Sequence, residues 1–292
     1  METWTDLGGG VLVRQSRAFQ MNSVLLLQRE HAVAVDPGVL PSELDDLAAR
    51  VKAALPATVT LIFTHAHWDH VLGRPWWPAA RTLGHDRFAA DLERSMQWLH
   101  DEADKVATKH GEKWASRFVP FRLDQRVSGL HFMRLGPWRL VLRDAFGHSE
   151  SQLSIHLPDR RVLIAADMLS DIEVPMLEDR PPAVYLETLR QLQPLLEGGA
   201  IETLVPGHGT LARGRPEVER RFARDRLYLE TLERETARLR RAGKSLAEIQ
   251  EQLAGMDDVE RHPAHPMRAT HLENIRLADP GAGSPRAREV LP

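Results

Sequence analysis

Apolar and polar positions follow two different rhythms along this chain. Short apolar runs at 10–13, 23–27 and 32–35 read as strands, and Asp36-Pro37-Gly38 breaks them with a strong turn signal. A period of three to four then places Leu44, Leu47, Ala48, Val51 and Leu55 on one face of a helix that Ser42 caps and Pro56 ends. The apolar run Val59-Thr60-Leu61-Ile62-Phe63 follows as a strand, completing a helix-then-strand unit. From 75 to 125 the pattern turns helical, centred on 86–110 with Gly111 past its end, and predicts an insertion. Strands resume at 140–143, 153–156, 162–165 and 203–205, with a helix over 183–196 between them. Beyond Pro216 the chain becomes helical and heavily charged. A helix over 217–241 stops near Gly243, Ser245-Leu246-Ala247-Glu248 forms a capping box for another, and Thr270-His271-Leu272-Glu273 forms one for a last helix to about Leu277. The end, 279–292, is rich in Pro, Gly and Arg and reads as a loose tail. The order of elements predicts an α/β domain over 1–215, with a helical insertion at 75–125 and a helical extension over 216–278.

Four of the predicted strands run into residues that ligate metals. The strand at 59–63 leads into Thr64-His65-Ala66-His67-Trp68-Asp69-His70, three imidazoles and a carboxylate in six positions. His65 and His67 are two apart, so at a strand end both project to one face, as two ligands of one ion must. Asp69 and His70 are adjacent, so the chain must already be turning there, which frees them for a second ion. The others end in Asp144-Ala145-Phe146-Gly147-His148-Ser149, in Ala165-Ala166-Asp167 and in Val205-Pro206-Gly207-His208-Gly209. In layered α/β proteins the strand ends of one edge form ligand sites, so His148, Asp167 and His208 are expected to converge on the first motif.

Composition narrows the chemistry. There is no cysteine, which excludes disulfides, thiolate catalysis and sulfur-ligated metals, so any metal sits on nitrogen and oxygen. The net charge is −3, from 38 basic and 41 acidic residues, and gives no global field for polyanions such as nucleic acid. Without a secretory leader or a membrane-length apolar run, the chain reads as cytoplasmic and without a membrane partner. The expected partner is a small-molecule substrate, and the charged extension is a candidate cap over the site or homodimer interface.

The motif set His-x-His-x-Asp-His at 65–70, Gly-His-Ser at 147–149, Ala-Asp at 166–167 and Pro-Gly-His-Gly at 206–209 resembles, in order and spacing, that of the metallo-β-lactamase-fold hydrolases, glyoxalase II and related two-metal enzymes above all. The resemblance implies an αβ/βα sandwich and two divalent metal ions, zinc first, manganese or iron as alternatives. It implies that His65, His67 and His148 hold one ion, Asp69, His70 and His208 the other, and that Asp167 bridges them. It further implies attack on a carbonyl by a bridging hydroxide, with Asp69 or a metal-bound water as the proton donor; two dications against two aspartates and one hydroxide leave a centre near +1 that polarises a carbonyl or phosphoryl oxygen. The fold does not choose a substrate. Carboxylic esters, thioesters and lactones come first, a small-molecule phosphodiester is the alternative, and persulfide dioxygenases, which use one iron, share much of the motif set. Thr210 stands where glyoxalase II relatives place a substrate-binding tyrosine, and Met168-Leu169-Ser170 where many lactonases carry one. Trp76, Trp77, Trp98 and Trp114, with Met96 and Leu99, read either as a wall over the metals or as the core of the insertion. Of His262, His265 and His271, the last is the best candidate to reach the mouth of the site.

Overall fold

Backbone hydrogen bonding sorts the described residues of the computed structural model, 4–256, 261 and 267–281, into two sheets. The first runs in chain order: β1 (Trp4–Gly8), β2 (Val11–Gln15), β3 (Asn22–Leu27), β4 (His31–Val35), β5 (Thr58–Ile62), β6 (Arg81–His85) and β7 (Gln125–Val127). β1 to β4 are antiparallel, and β4 to β7 are parallel. Each parallel step needs a crossover, and α1 (Pro41–Ala54), α2 (Trp68–Val71) and α3 (Phe88–Lys109) supply them. The second sheet comprises β8 (Leu130–Leu135), β9 (Trp138–Asp144), β10 (Leu153–Leu157), β11 (Val162–Ile164), β12 (Thr203–Val205) and β13 (Ala212–Arg213), ordered β13-β12-β11-β10-β9-β8. Its one parallel pair, β11 with β12, is bridged by α4 (Pro182–Glu197). α5 (Arg215–Arg241), α6 (Leu246–Leu253) and α7 (Arg268–Ala278) follow.

Three apolar clusters show how the layers stack. Val24, Val33 and Ile62 of the first sheet meet Leu142, Ile155 and Ile164 of the second in the central layer. The other face of the first sheet buries Leu25 and Leu61 against Leu44, Leu47 and Leu99 of α1 and α3. The outer face of the second buries Leu163 and Leu204 against Leu189, Phe222 and Leu229 of α4 and α5. This is the expected αβ/βα sandwich. Strands buried on both faces carry near-continuous apolar runs, which is why Val59 to Phe63 and Val162 to Ala165 were legible as strands.

Three sequence expectations need correction. The stretch 75–125 is not wholly helical, because Arg81-Thr82-Leu83-Gly84-His85 is a sheet strand paired in parallel with β5 and β7. With a single large apolar residue its pattern is too weak to read without its neighbours. Ser42 does not cap α1; Pro41 takes the first helical turn after Leu40, the position a missing N–H tolerates, and the Ser42 hydroxyl bonds Glu112 instead. Thr270 is likewise no cap, since the His271 amide already bonds the Met267 carbonyl and α7 begins at Arg268. The Ser245–Glu248 capping box does form. The tail beyond 281 lies outside the described residues, as do His262 and His265.

Candidate metal centre

The chain leaves β5 at Ile62 and turns at once into the single-turn helix α2, so the whole first motif is folded into one compact bend. Its imidazoles face one another, with His65 ring centroids 4.5 Å from His67 and 4.0 Å from His70. His148 arrives from the loop between β9 and β10, Asp167 from the turn after β11, and His208 from the turn after β12. All seven expected residues therefore meet at one edge of the sandwich, in two groups: His65, His67, His148 and Asp167, and Asp69, His70 and His208.

Asp167 joins the groups. Its Oδ2 lies 3.3 Å from His148 Nε2, 3.5 Å from His208 Nε2 and 3.7 Å from His65 Nε2, and its Oδ1 lies 3.2 Å from His70 Nε2. Asp69 Oδ2 is 3.3 Å from His208 Nε2. The approach is so close that a Cβ on Gly207 would sit 1.9 Å from Asp167 Oδ1, which explains the glycine before His208.

The opposite nitrogen of each ring has its own partner. His70 Nδ1 donates to Asp36 Oδ2 at 2.9 Å, His65 Nδ1 to Thr64 Oγ1 at 3.1 Å, His148 Nδ1 to the Met176 carbonyl at 3.3 Å and His208 Nδ1 to the Phe19 carbonyl at 3.1 Å. His67 is turned the other way: Nε2 lies 2.7 Å from Glu178, and Nδ1 faces His148 Nε2 at 2.9 Å. These contacts fix one tautomer per ring and aim five lone pairs inward. Asp36 also accepts from the Thr64 amide at 2.7 Å and the Thr64 hydroxyl at 2.5 Å, so one carboxylate braces the bend that carries four of the seven candidate residues.

Charge makes the same point. Burial pushes His70 and His208 down, yet the carboxylates of Asp167 and Asp69 around the first, and of Glu173 and Asp167 around the second, raise both well above the ordinary histidine value. His65 goes well below it, driven by burial and then by His70 and His67. Burial opposes ionisation of Asp167, but His70, His208, His65 and His148 hold it well below the usual carboxylate range. Such a site gathers positive charge. His65 Nε2, His70 Nε2 and Asp167 Oδ1 are moreover buried without a hydrogen bond, an arrangement polar atoms rarely tolerate. Divalent cations fit this nitrogen and oxygen donor set and would satisfy all three atoms.

Several contributors lacked any sequence signal of chemistry. Asp36 read only as part of a turn, Glu178 lies in a loop without a motif, and the half-buried Glu173 carboxyl is pushed up by desolvation, with Asp167 adding to the rise against His208. Trp98 has its ring 6.5 Å from His67, and Trp68 stacks edge-on against Phe19 at 6.0 Å. Trp76 and Trp114 pair with each other at 5.9 Å, and Trp77 and Leu99 are buried in the core. His271 does not reach the mouth; it is buried in the extension, with Nδ1 2.8 Å from the Tyr228 hydroxyl and Nε2 2.8 Å from the Leu253 carbonyl.

The acyl-coenzyme A thioesterase MBLAC2 of Bos taurus is 28% identical over 226 residues, 70% of this chain and 79% of its own length, and that of Homo sapiens is 26% identical over the same shares. Among solved structures, the inverting sec-alkylsulfatase Pisa1 from Pseudomonas sp. superposes with a TM-score of 0.68 at 14% identity, over 93% of this chain, which spans 49% of the sulfatase. A metallo-beta-lactamase from Pontibacter korlensis superposes with a TM-score of 0.54 at 14% identity, over 75% of this chain and 96% of its own. The family model of the metallo-beta-lactamase superfamily matches residues 16–208, which span all seven candidate residues, and the chain belongs to that superfamily.

Proposed function

We propose that this metal-dependent hydrolase cleaves a thioester, or a related carboxylic ester, whose acyl part is apolar, and that it does so on two divalent cations, zinc first. His65, His67 and His148 would hold one, Asp69, His70 and His208 the other, and Asp167 both. The observation that carries the reading is Asp167 itself, with an oxygen within 3.7 Å of imidazoles from both groups. When bound, the cations supply Lewis acidity toward a carbonyl oxygen and a water made acidic enough to act as nucleophile near neutral pH.

The residues define how substrate and proton are handled. His67 and Asp69 have the most exposed side chains of the set, 11% each, against 0–1% for His65, His70 and His148, so substrate enters over that edge. Trp98, Trp68 and Phe19 flank it and offer an apolar wall to an acyl chain. Leu99, next to Trp98, and Leu72, just past α2, line a cavity of about 230 Å³ with Trp76, Trp114 and Phe118. His70 and His208 outweigh burial and lower Asp69 below the usual carboxylate value, so at neutral pH its carboxylate would take a proton from the attacking water and return it to the leaving thiolate. Supporting the choice of thioester are the two thioesterase relatives, matched over most of their length.

The test is a panel of acyl-thioesters of increasing chain length, with lactones, β-lactams and phosphodiesters, assayed on protein of measured metal content. Thioester hydrolysis rising with chain length is expected. A two-metal protein that cleaves phosphodiesters and leaves thioesters intact would overturn the reading, and a single oxygen-sensitive iron would point to dioxygenase chemistry.

A further inference from the structure

Two charged residues of α5 are buried within one helical turn of each other, Arg221 at 2% and Asp225 at 1% exposure, and both reach into the turn that carries Asp167. Arg221 Nη1 donates to the Leu169 carbonyl at 3.2 Å. Asp225 Oδ2 accepts from the Leu169 amide at 3.0 Å and from the Tyr185 hydroxyl at 2.8 Å. The two side chains therefore hold Leu169 at both its amide and its carbonyl. Arg221 Nη2 also donates to the Thr210 carbonyl and hydroxyl at 3.3 and 3.1 Å, two residues past His208, and lies 3.3 Å from Asp171. A second buried cation, Arg261, donates to Asp225 Oδ1 at 2.8 Å and to the Glu173 carbonyl at 2.7 Å.

The turn needs holding. Ala166 and Leu169 have φ of +51° and +62°, a left-handed conformation that residues with a Cβ adopt rarely and keep only when the surroundings impose it. Asp167 sits between them. From the sheet side the turn is tied by the Gly207 amide to the Ala166 carbonyl at 2.6 Å, and from the helix side by the α5 pair.

We propose that Arg221 and Asp225 are positioning residues of the metal centre: by fixing Leu169 and Thr210 together they set the turn that aims Asp167 between the two ligand groups and hold it in register with His208. The helical extension is then a working part of the centre. This rests on the two-metal reading, and the experiment separates the two.

Zinc affinity is measured by competition with a chelating indicator on the full chain, for wild type, Asp225→Asn, Arg221→Lys and Arg240→Met, with the melting temperature of each in excess chelator. Arg221→Lys keeps the charge but loses the fork that spans Leu169 and Thr210. Arg240→Met removes the ion pair to Asp279 in the same extension, away from the turn, and serves as a stability control. The expected result is a drop of about 10–100-fold in zinc affinity for Asp225→Asn and Arg221→Lys, as outer contacts of a metal site typically give, with none for Arg240→Met. Should either variant fail to fold, the other decides. Affinities equal to wild type, or losses that merely track melting temperature across all three variants, would overturn the proposal. Wild type that binds no zinc would instead defeat the two-metal reading.

Discussion

The two halves of the sandwich supply the centre in opposite ways. The first sheet delivers His65, His67, Asp69 and His70 from one bend, braced at Thr64 and His70 by Asp36 from the neighbouring turn. The second delivers His148, Asp167 and His208 from three separate turns, each held by something distant in sequence: the loop at Met176, α5, and the Phe19 carbonyl. The contiguous motif needs few supports, because one carboxylate holds both its backbone and one of its rings. The dispersed residues need a separate tertiary support each, and the α5 network ties two of their turns together.

Breaking the dispersed half at its centre has the largest expected effect. Asp167→Ala removes the group common to both ligand sets, and turnover should fall to background with at most one metal retained, as read by activity and metal analysis. Near-wild-type rates would remove Asp167 from its shared role. Asp36→Ala attacks the brace of the contiguous half, and both turnover and metal affinity should fall by about 10–100-fold, because the His70 tautomer and the Thr64 backbone lose their partner together. Glu178→Ala is the sharper comparison. That carboxylate orients one ligand, His67, and its side chain is 23% exposed against 4% for Asp36, so water substitutes for it and the loss should stay near the lower end, about 10-fold. A loss larger than that of Asp36→Ala would reverse the ranking.

The smallest effect is on stability with pH, in the extension alone. Burial is the main cause that lowers His271 below the ordinary histidine value, outweighing its bond to the Leu253 carbonyl. A folded pKa depressed in this way gives stability that is complete above about pH 6.5, the unfolded value, and declines as pH falls from there toward the folded value. Metal-free wild type should lose more melting temperature between pH 7.5 and 5.5 than His271→Gln, which keeps a side-chain amide to donate. Parallel losses would contradict this assignment.

Legibility divided the candidate ligands from their supports. Ligands whose chemistry is written in adjacent letters could be read directly, and the strands leading to them announced themselves as unbroken apolar runs. Their supports could not. Arg221 and Asp225 sit in a helix where Arg220, Arg224 and Arg226 alternate with Glu217, Glu219 and Glu230, so the pattern is that of a solvated face and nothing local marks two positions as buried. Asp36 shares its letter with any turn, and strand β6 carries one large apolar residue. In each case the information lies in a partner far along the chain.

Metal stoichiometry tests the central claim most directly, measured by native mass spectrometry after exchange into zinc. The account predicts two ions per chain in wild type, one in His148→Ala and one in His208→Ala, since each substitution opens one group and leaves the other. A single ion in wild type that survives loss of His208, or two ions untouched by either substitution, would contradict it.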